Sequence, residues 1–206
     1  MQQLHVAETE KYMHMTYFLN GGRETPIEGE EFIKVPSPSV FNYAQTPEMS
    51  AGVIRDEIVN RLNKDPQKYS LIAVNICNPD MLGHTGDLEA AIKAIEYVDK
   101  IVKDLVSSVV ENGGACLIIA DHGNCETMID RETHEVHTAH TANPIPFLFV
   151  SDKDELLPGK EGEIEKYTTG QVEVTGILAD VTPTILRLLG LEPADEMTGT
   201  DILDTI

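Results

Sequence analysis

With 206 residues, 41% of them hydrophobic and 24% charged, the chain has the length and make-up of an ordinary globular protein with one sizeable core. Fifteen basic residues against 35 acidic ones give a formal net charge of −20, which argues against nucleic acid or an anionic membrane surface as a partner. An anionic substrate stays open, because bound divalent cations reverse the local field.

Leu4-His5-Val6 reads as a short edge strand. Thr9 to Asn20 then has apolar residues at helical spacing, with Thr9 placed to cap the start and Gly21-Gly22 to end it. Lys11 falls in the first turn, where a cation opposes the helix dipole; such local conflicts gather at functional sites, although on these residues alone an exposed surface lysine is the stronger reading. From Arg23 to Pro47 periodicity is poor, and Pro26, Pro36, Pro38 and Pro47 interrupt it. Ser50 is placed to cap a helix from Ala51 to about Asn63, with Val53, Ile54, Ile58, Val59 and Leu62 as its buried stripe.

Ser70 to Cys77 reads as a strand that is apolar on both faces. Just past it stand Asp80 and His84, and a spacing of four on a single turn brings both side chains to one side. Asp87 begins a long helix that runs to about Asn112, with Leu88, Ala91, Ile92, Ile95, Val98, Val102, Leu105, Val106 and Val109 at helical spacing and Gly113-Gly114 at its end. Ala115 to Ala120 is then a buried strand of a parallel sheet, which makes a right-handed strand–helix–strand unit with Ser70–Cys77. Asp121-His122 directly follow that strand, at the carboxyl end where open α/β sheets collect ligands. His137 and His140 lie in a turn before the proline-led strand Ile145–Val150. Asp152 to Gly170 is charged and irregular, and Val172–Val174 reads as a short strand. Asp180 is placed to cap a last helix, with Pro183 in its first turn, Ile185, Leu186, Leu188 and Leu189 buried, and Gly190 as its stop.

The three cysteines, Cys77, Cys116 and Cys125, match no disulfide framework or zinc knuckle, and free thiols fit a reducing compartment. No apolar run is long enough to span a membrane and the N-terminus does not read as a signal peptide, so the expected location is cytoplasmic. A single domain covering 1–206 is expected.

Asp80, His84, Asp121, His122, His137 and His140 come from three loops, and carboxylate and imidazole are ligand types for divalent transition metals. Convergence would give more donors than one ion needs; two ions about 4 Å apart clamp phosphoryl or sulfuryl oxygens for in-line displacement. No serine or threonine stands in an activation setting: Ser37, Ser39 and Ser50 lie in proline-rich or capping contexts.

Ala7-Glu8-Thr9-Glu10-Lys11-Tyr12, Pro36-Ser37-Pro38, Pro47-Glu48-Met49-Ser50-Ala51, Asn78-Pro79-Asp80-Met81-Leu82-Gly83-His84-Thr85-Gly86, Ala120-Asp121-His122-Gly123-Asn124 and His137-Thr138-Ala139-His140-Thr141-Ala142-Asn143-Pro144 together resemble the cofactor-independent (2,3-bisphosphoglycerate-independent) phosphoglycerate mutases of the alkaline phosphatase superfamily. The resemblance runs in order along essentially the whole chain. It implies an α/β/α sandwich with a mostly parallel central sheet that lacks its N-terminal strands, the chain being the C-terminal portion of a metal-binding phosphatase-type domain. It implies a glycolytic enzyme that interconverts 3-phosphoglycerate and 2-phosphoglycerate through a phosphoserine with two manganese ions. By position, Asp80, His84 and His140 match the ligands of one ion, Asp121 and His122 match ligands of the second, and Lys11 matches a substrate-contacting catalytic lysine. The family's phosphorylated serine, a further aspartate of the second ion and the transferase domain with its substrate arginines match nothing here, so the second site is expected to be incomplete and this chain inactive alone. A phosphate-ester hydrolase of the same superfamily and a non-catalytic metal-binding or assembly module are the alternative readings.

Overall fold

The computed structural model describes residues 1–152 and 174–204. The fold is α/β. Its sheet holds β1 (Gln3–Glu8), β2 (Glu30–Val35) and β3 (Leu71–Val74) in the order β2-β1-β3, all parallel. Leu4-His5-Val6 is thus part of the central strand, not an edge. Every residue of β1 from Leu4 to Glu8 is buried, which a strand paired on both sides and covered on both faces requires.

Two-residue alternation sorts the faces of β1. Leu4 and Val6 meet Ile54, Ile58 and Leu62 of α1 (Ala51–Lys64) and Ile101 and Leu105 of the long helix α3 (Leu88–Glu111). His5 points to the other face, where its Nδ1 lies 2.7 Å from the Met15 carbonyl oxygen. That carbonyl belongs to a helical stretch that opens as a 3-10 turn at Thr9–Lys11 and widens to a π-turn at His14–Phe18. The regular helix expected from Thr9 to Asn20 is therefore distorted. Thr9 does not cap it: its hydroxyl donates to the Val35 carbonyl and accepts from the Ser37 amide, tying the ends of β1 and β2 together. Gly21 and Gly22, both at positive φ, follow it.

The stretch from Arg23 to Pro47 contains a strand that its charges conceal. In β2, Ile33 and Val35 pack into the core while Glu30 and Lys34 lie on the opposite face, in register with β1. Ser50 precedes α1, but its hydroxyl donates to the Pro36 carbonyl instead of capping. Val53, expected in the buried stripe, is 56% exposed.

Asp87 caps α3 as expected, accepting from the Ala90 amide. Asp87→Ala should cost about 0.5–2 kcal/mol in urea denaturation. A loss under 0.3 kcal/mol, roughly the measurement error, would show the cap to be dispensable. The buried seam of α3 is Ala90, Ala91, Ala94, Ile101 and Leu105, whereas Leu88, Ile92 and Ile95 are exposed. Ala91 and Leu105 of the expected stripe are therefore buried but the rest of it is not in the seam, because more than half of the residues of α3 are apolar and several stripes fit.

The strand–helix–strand reading needs a second correction. β3 is shorter than expected, and β4 (Cys116–Ile119) does not join its sheet. β4 pairs antiparallel with β5 (Phe147–Val150), and Ile119 at its end is 40% exposed. An apolar run announces a strand but not its partner, and Phe147–Val150 satisfies one edge of β4. Among the described residues β3 pairs only with β1, and β4 only with β5.

Asp180 precedes α4 (Val181–Leu188) without capping it; its carboxylate accepts from the Ile177 and Thr200 amides and so holds the following tail. Pro183 is buried in the first turn and Gly190, at φ 70°, follows the end, but Leu188 is 43% exposed and Ile185, Leu186 and Leu189 are only partly buried, against the expectation that all four are buried. The stretch expected to be irregular from Asp152 to Gly170 and the strand expected at Val172–Val174 lie almost wholly outside the described residues. Cys77, Cys116 and Cys125 are free thiols, as expected, with Cys77 buried and Cys116 partly buried. Among the described residues no helix is long and apolar enough to cross a membrane.

Candidate metal centre

Three parts of the chain deliver polar side chains to the region beyond β1, β3 and β4. The first is the turn after β1, which carries Lys11. The second is α2 (Asn78–Gly83), a short helix opened by Pro79, which carries Asp80 in its first turn and His84 at its end. The third is the pair of loops that hold Asp121-His122 and His140. A backbone bridge joins those loops, with the Thr141 amide donating to the Gly123 carbonyl at 2.9 Å.

Asp80 is the hub. Its Oδ2 lies 2.6 Å from Lys11 Nζ. Its Oδ1 lies 2.9 Å from His140 Nε2 and 3.1 Å from His84 Nε2, and accepts from Asn124 Nδ2 at 3.1 Å. Burial alone would raise the carboxyl pKa, but the Lys11 hydrogen bond and charge, then His84 and Asn124, outweigh it and hold it down at about 2. Asp80 is therefore an anion throughout the neutral range.

The histidines face inward. His84 Nδ1 sits 2.7 Å from the Thr138 carbonyl, which can only accept, so Nδ1 carries the proton and, in the neutral ring, Nε2 keeps its lone pair. That Nε2 is 3.0 Å from His140 Nε2. Two imidazole nitrogens and a carboxylate oxygen at these distances must share a proton or a cation. One donor atom each from Asp80, His84 and His140 lies within 4.8 Å of the others, and all three are first-row divalent-metal ligand types. The carbonyl behind His84 is the outer support that metal-ligating histidines use. The donor set fits a divalent ion.

The remaining candidates are arranged differently. His122 stacks on His140 with ring centroids 3.6 Å apart, and its Nε2 is 4.0 Å from Asp80 Oδ1. His122 Nδ1 is buried without a hydrogen-bond partner among the described residues. Asp121, with a side chain 65% exposed, places its Oδ2 3.5 Å from His122 Nε2. His137 turns its Nδ1 to the Thr127 carbonyl and takes no part. The sequence reading did not single out Asn124, whose amide donates to Asp80 and which is 5% exposed. Its signal was its place two residues after His122. Gly83 belongs with it, because a Cβ there would run into the Asn124 amide.

Glu8, wholly buried at the end of β1, borders this region. One carboxylate oxygen accepts from the Ser50 amide and the other has no partner among the described residues. Burial raises its pKa; the Ser50 amide and the neighbouring Ser37 hydroxyl offset this in part, and Glu10 adds to it. The folded chain thus binds this proton more tightly than the unfolded chain, and stability falls as pH rises from the ordinary carboxyl range through the raised native value. Glu8→Gln should raise the melting temperature at pH 7 and leave it unchanged near pH 3. Equal shifts at both pH values would refute ionisation as the cause.

A family model described as "Metalloenzyme superfamily" matches residues 1–193. The chain belongs to the Metalloenzyme superfamily. Within that superfamily it is 49% identical, over 98% of its length, to the 2,3-bisphosphoglycerate-independent phosphoglycerate mutase of Pseudomonas fluorescens. It is 46% identical, again over 98% of its length, to the enzyme of that name from Clostridium botulinum. The chain spans 36% of the length of each of these relatives. Among solved structures, a phosphoglycerate mutase of Leishmania mexicana, determined at low cobalt concentration, superposes with a TM-score of 0.78 at 28% identity. That match covers 97% of this chain and 36% of the other. The α/β class expected from the sequence is thus shared with that phosphoglycerate mutase.

Proposed function

We propose that this chain is the metal-binding C-terminal portion of a cofactor-independent phosphoglycerate mutase, a cytoplasmic glycolytic enzyme that interconverts 3-phosphoglycerate and 2-phosphoglycerate. The observation that carries the reading is the meeting of Lys11, Asp80, His84, His122 and His140 within hydrogen-bond or stacking distance, in a chain 49% identical to such a mutase. Asp80, His84 and His140 would hold one manganese, and Asp121 and His122 part of a second site that needs further ligands. Phosphoglycerate would be the substrate, and the rest of the mutase, with its transferase domain, the partner.

Bound divalent ions supply Lewis-acid stabilisation of phosphoryl oxygens. The chain's own residues do the positioning. The Thr138 carbonyl fixes the His84 ring and keeps Nε2 inward. Asn124 holds the Asp80 carboxylate in place. Lys11, with its side chain only 15% exposed, is held by Asp80 and offers ammonium hydrogens to a phosphoryl oxygen as charge develops there.

The test is a chimera in which this chain replaces the matching 201-residue stretch of the Pseudomonas fluorescens mutase. The chimera should interconvert the two phosphoglycerates, and Lys11→Met within it should lower turnover by about 10²–10³ while manganese binding persists. The 206-residue chain by itself should neither isomerise phosphoglycerate nor hydrolyse an aryl phosphate. A well-folded chimera without mutase activity, or isomerisation by the pure chain, would overturn the proposal.

A further inference from the structure

The loop that carries His140 is held by polar ties more than by packing. Thr138, Ala139, His140, Ala142, Asn143 and Pro144 are all exposed. Yet this loop sets the position of an imidazole 2.9 Å from Asp80 and 3.0 Å from His84. The side chain that grips it on both sides of Ala142 is Glu126, from the neighbouring loop. Glu126 Oε1 accepts a hydrogen bond from the hydroxyl of Thr141, the residue directly after His140. The same oxygen accepts from Asn143 Nδ2 at 2.9 Å. The Asn143 amide group also reaches Thr127 Oγ1 at 3.3 Å, so Asn143 is tied to two consecutive residues of the opposing loop. The Thr141 and Glu126 side chains fill the space beside Gly123, where a Cβ would have no room unless they moved. Burial would raise the Glu126 pKa, but the Thr141 and Asn143 hydrogen bonds, with the backbone amides of Glu126 and Asn124, lower it, so the carboxylate is the charged acceptor of this junction.

We propose that Glu126 is a positioning residue for the metal centre, its Oε1 fixing Thr141 and Asn143 and thereby the place of the His140 imidazole relative to Asp80 and His84. This rests on the reading of those three residues as a metal site. Glu126 touches none of them. Its effect on a bound ion runs through the loop, as outer supports of metal ligands generally act.

Geometry and charge are separable, because both hydrogen bonds end on a single oxygen. Glu126→Gln keeps an acceptor there and removes the charge; Glu126→Ala removes both. The experiment is a calorimetric titration of Mn2+ into the full 206-residue chain and both variants, with hydrogen exchange of the Thr141 amide followed without metal. Glu126→Ala should bind Mn2+ about ten- to a hundredfold more weakly and exchange the Thr141 amide faster, with little change in melting temperature. Glu126→Gln should recover most of the affinity and the protection. Wild-type affinity in Glu126→Ala, or a loss in Glu126→Gln as large as in Glu126→Ala, would overturn the positioning role. If the wild-type chain bound no Mn2+, the metal-site reading would fail instead, and unchanged Thr141 exchange in Glu126→Ala would then overturn the loop-holding role separately.

Discussion

Asp80→Ala should weaken divalent-metal binding by this chain more than a hundredfold, the largest effect of any single substitution at the candidate centre. The expectation follows from what meets at that carboxylate. Its Oδ1 faces His84 and His140, and its Oδ2 faces Lys11. Deleting it removes the one anionic donor of the three-residue cluster and leaves two imidazoles and an ammonium facing one another. That arrangement repels a cation where the intact site attracts one. The loss should exceed the roughly ten- to hundredfold typical of outer supports such as the one proposed for Glu126. The Lys11 side chain, 15% exposed, would also lose its partner, so the metal-free variant should be destabilised; removing one member of a buried pair costs about 3–5 kcal/mol, and partial exposure here lowers that. Asp80→Asn separates the two effects, since it keeps the shape and removes the charge. Manganese affinity in Asp80→Ala within threefold of wild type, a change of roughly 0.7 kcal/mol, would remove Asp80 from the site.

Ile101→Ala should cost about 2–5 kcal/mol of folding stability. Ile101 is fully buried on α3, in one cluster with Leu4 and Val6 of the central strand and Ile54 and Ile58 of α1. Truncation loses the transfer free energy of three carbons and leaves a cavity between elements that cannot close on it. Against a typical total of roughly 5–15 kcal/mol, that loss suffices to leave the chain partly unfolded at 37 °C. Val53→Ala on α1 is the control: the residue is 56% exposed and the cost should stay within about 0.5 kcal/mol. Equal urea midpoints for the two variants would mean that the core is not where the packing places it.

These two residues mark what the sequence disclosed and what it hid. Asp80 and His84 were legible because a spacing of four on one turn is local chemistry, and α2 supplies that turn. Their meeting with His140 and Lys11 depends on which loops the fold brings together, and spacing carries no such information; the resemblance did. Ile101 escaped the sequence reading altogether. Apolar residues cover so much of α3 that several phases of a helical stripe fit equally well, and tertiary contact selects among them: β1 and α1 pack on Ile101 and Leu105, while Leu82 of α2 and Met128 pack with Ala90, Ala91 and Ala94. β2 was missed because Glu30, Glu31 and Lys34 surround its apolar residues. β4 was found but paired wrongly, since Cys116–Ile119 is apolar whichever neighbour it takes. Local signals placed the helices α1, α3 and α4, while strand partners and the seam of a long helix are set by tertiary contact.

The most direct test of the account is a calorimetric titration of Mn2+ into the metal-free 206-residue chain at neutral pH, repeated near pH 5. Saturable binding is expected at neutral pH, lost in His84→Ala and His140→Ala and accompanied by proton release. The affinity should fall on acidification, because protons compete for the imidazole nitrogens. Absence of saturable binding, or binding that survives both histidine substitutions, would contradict it.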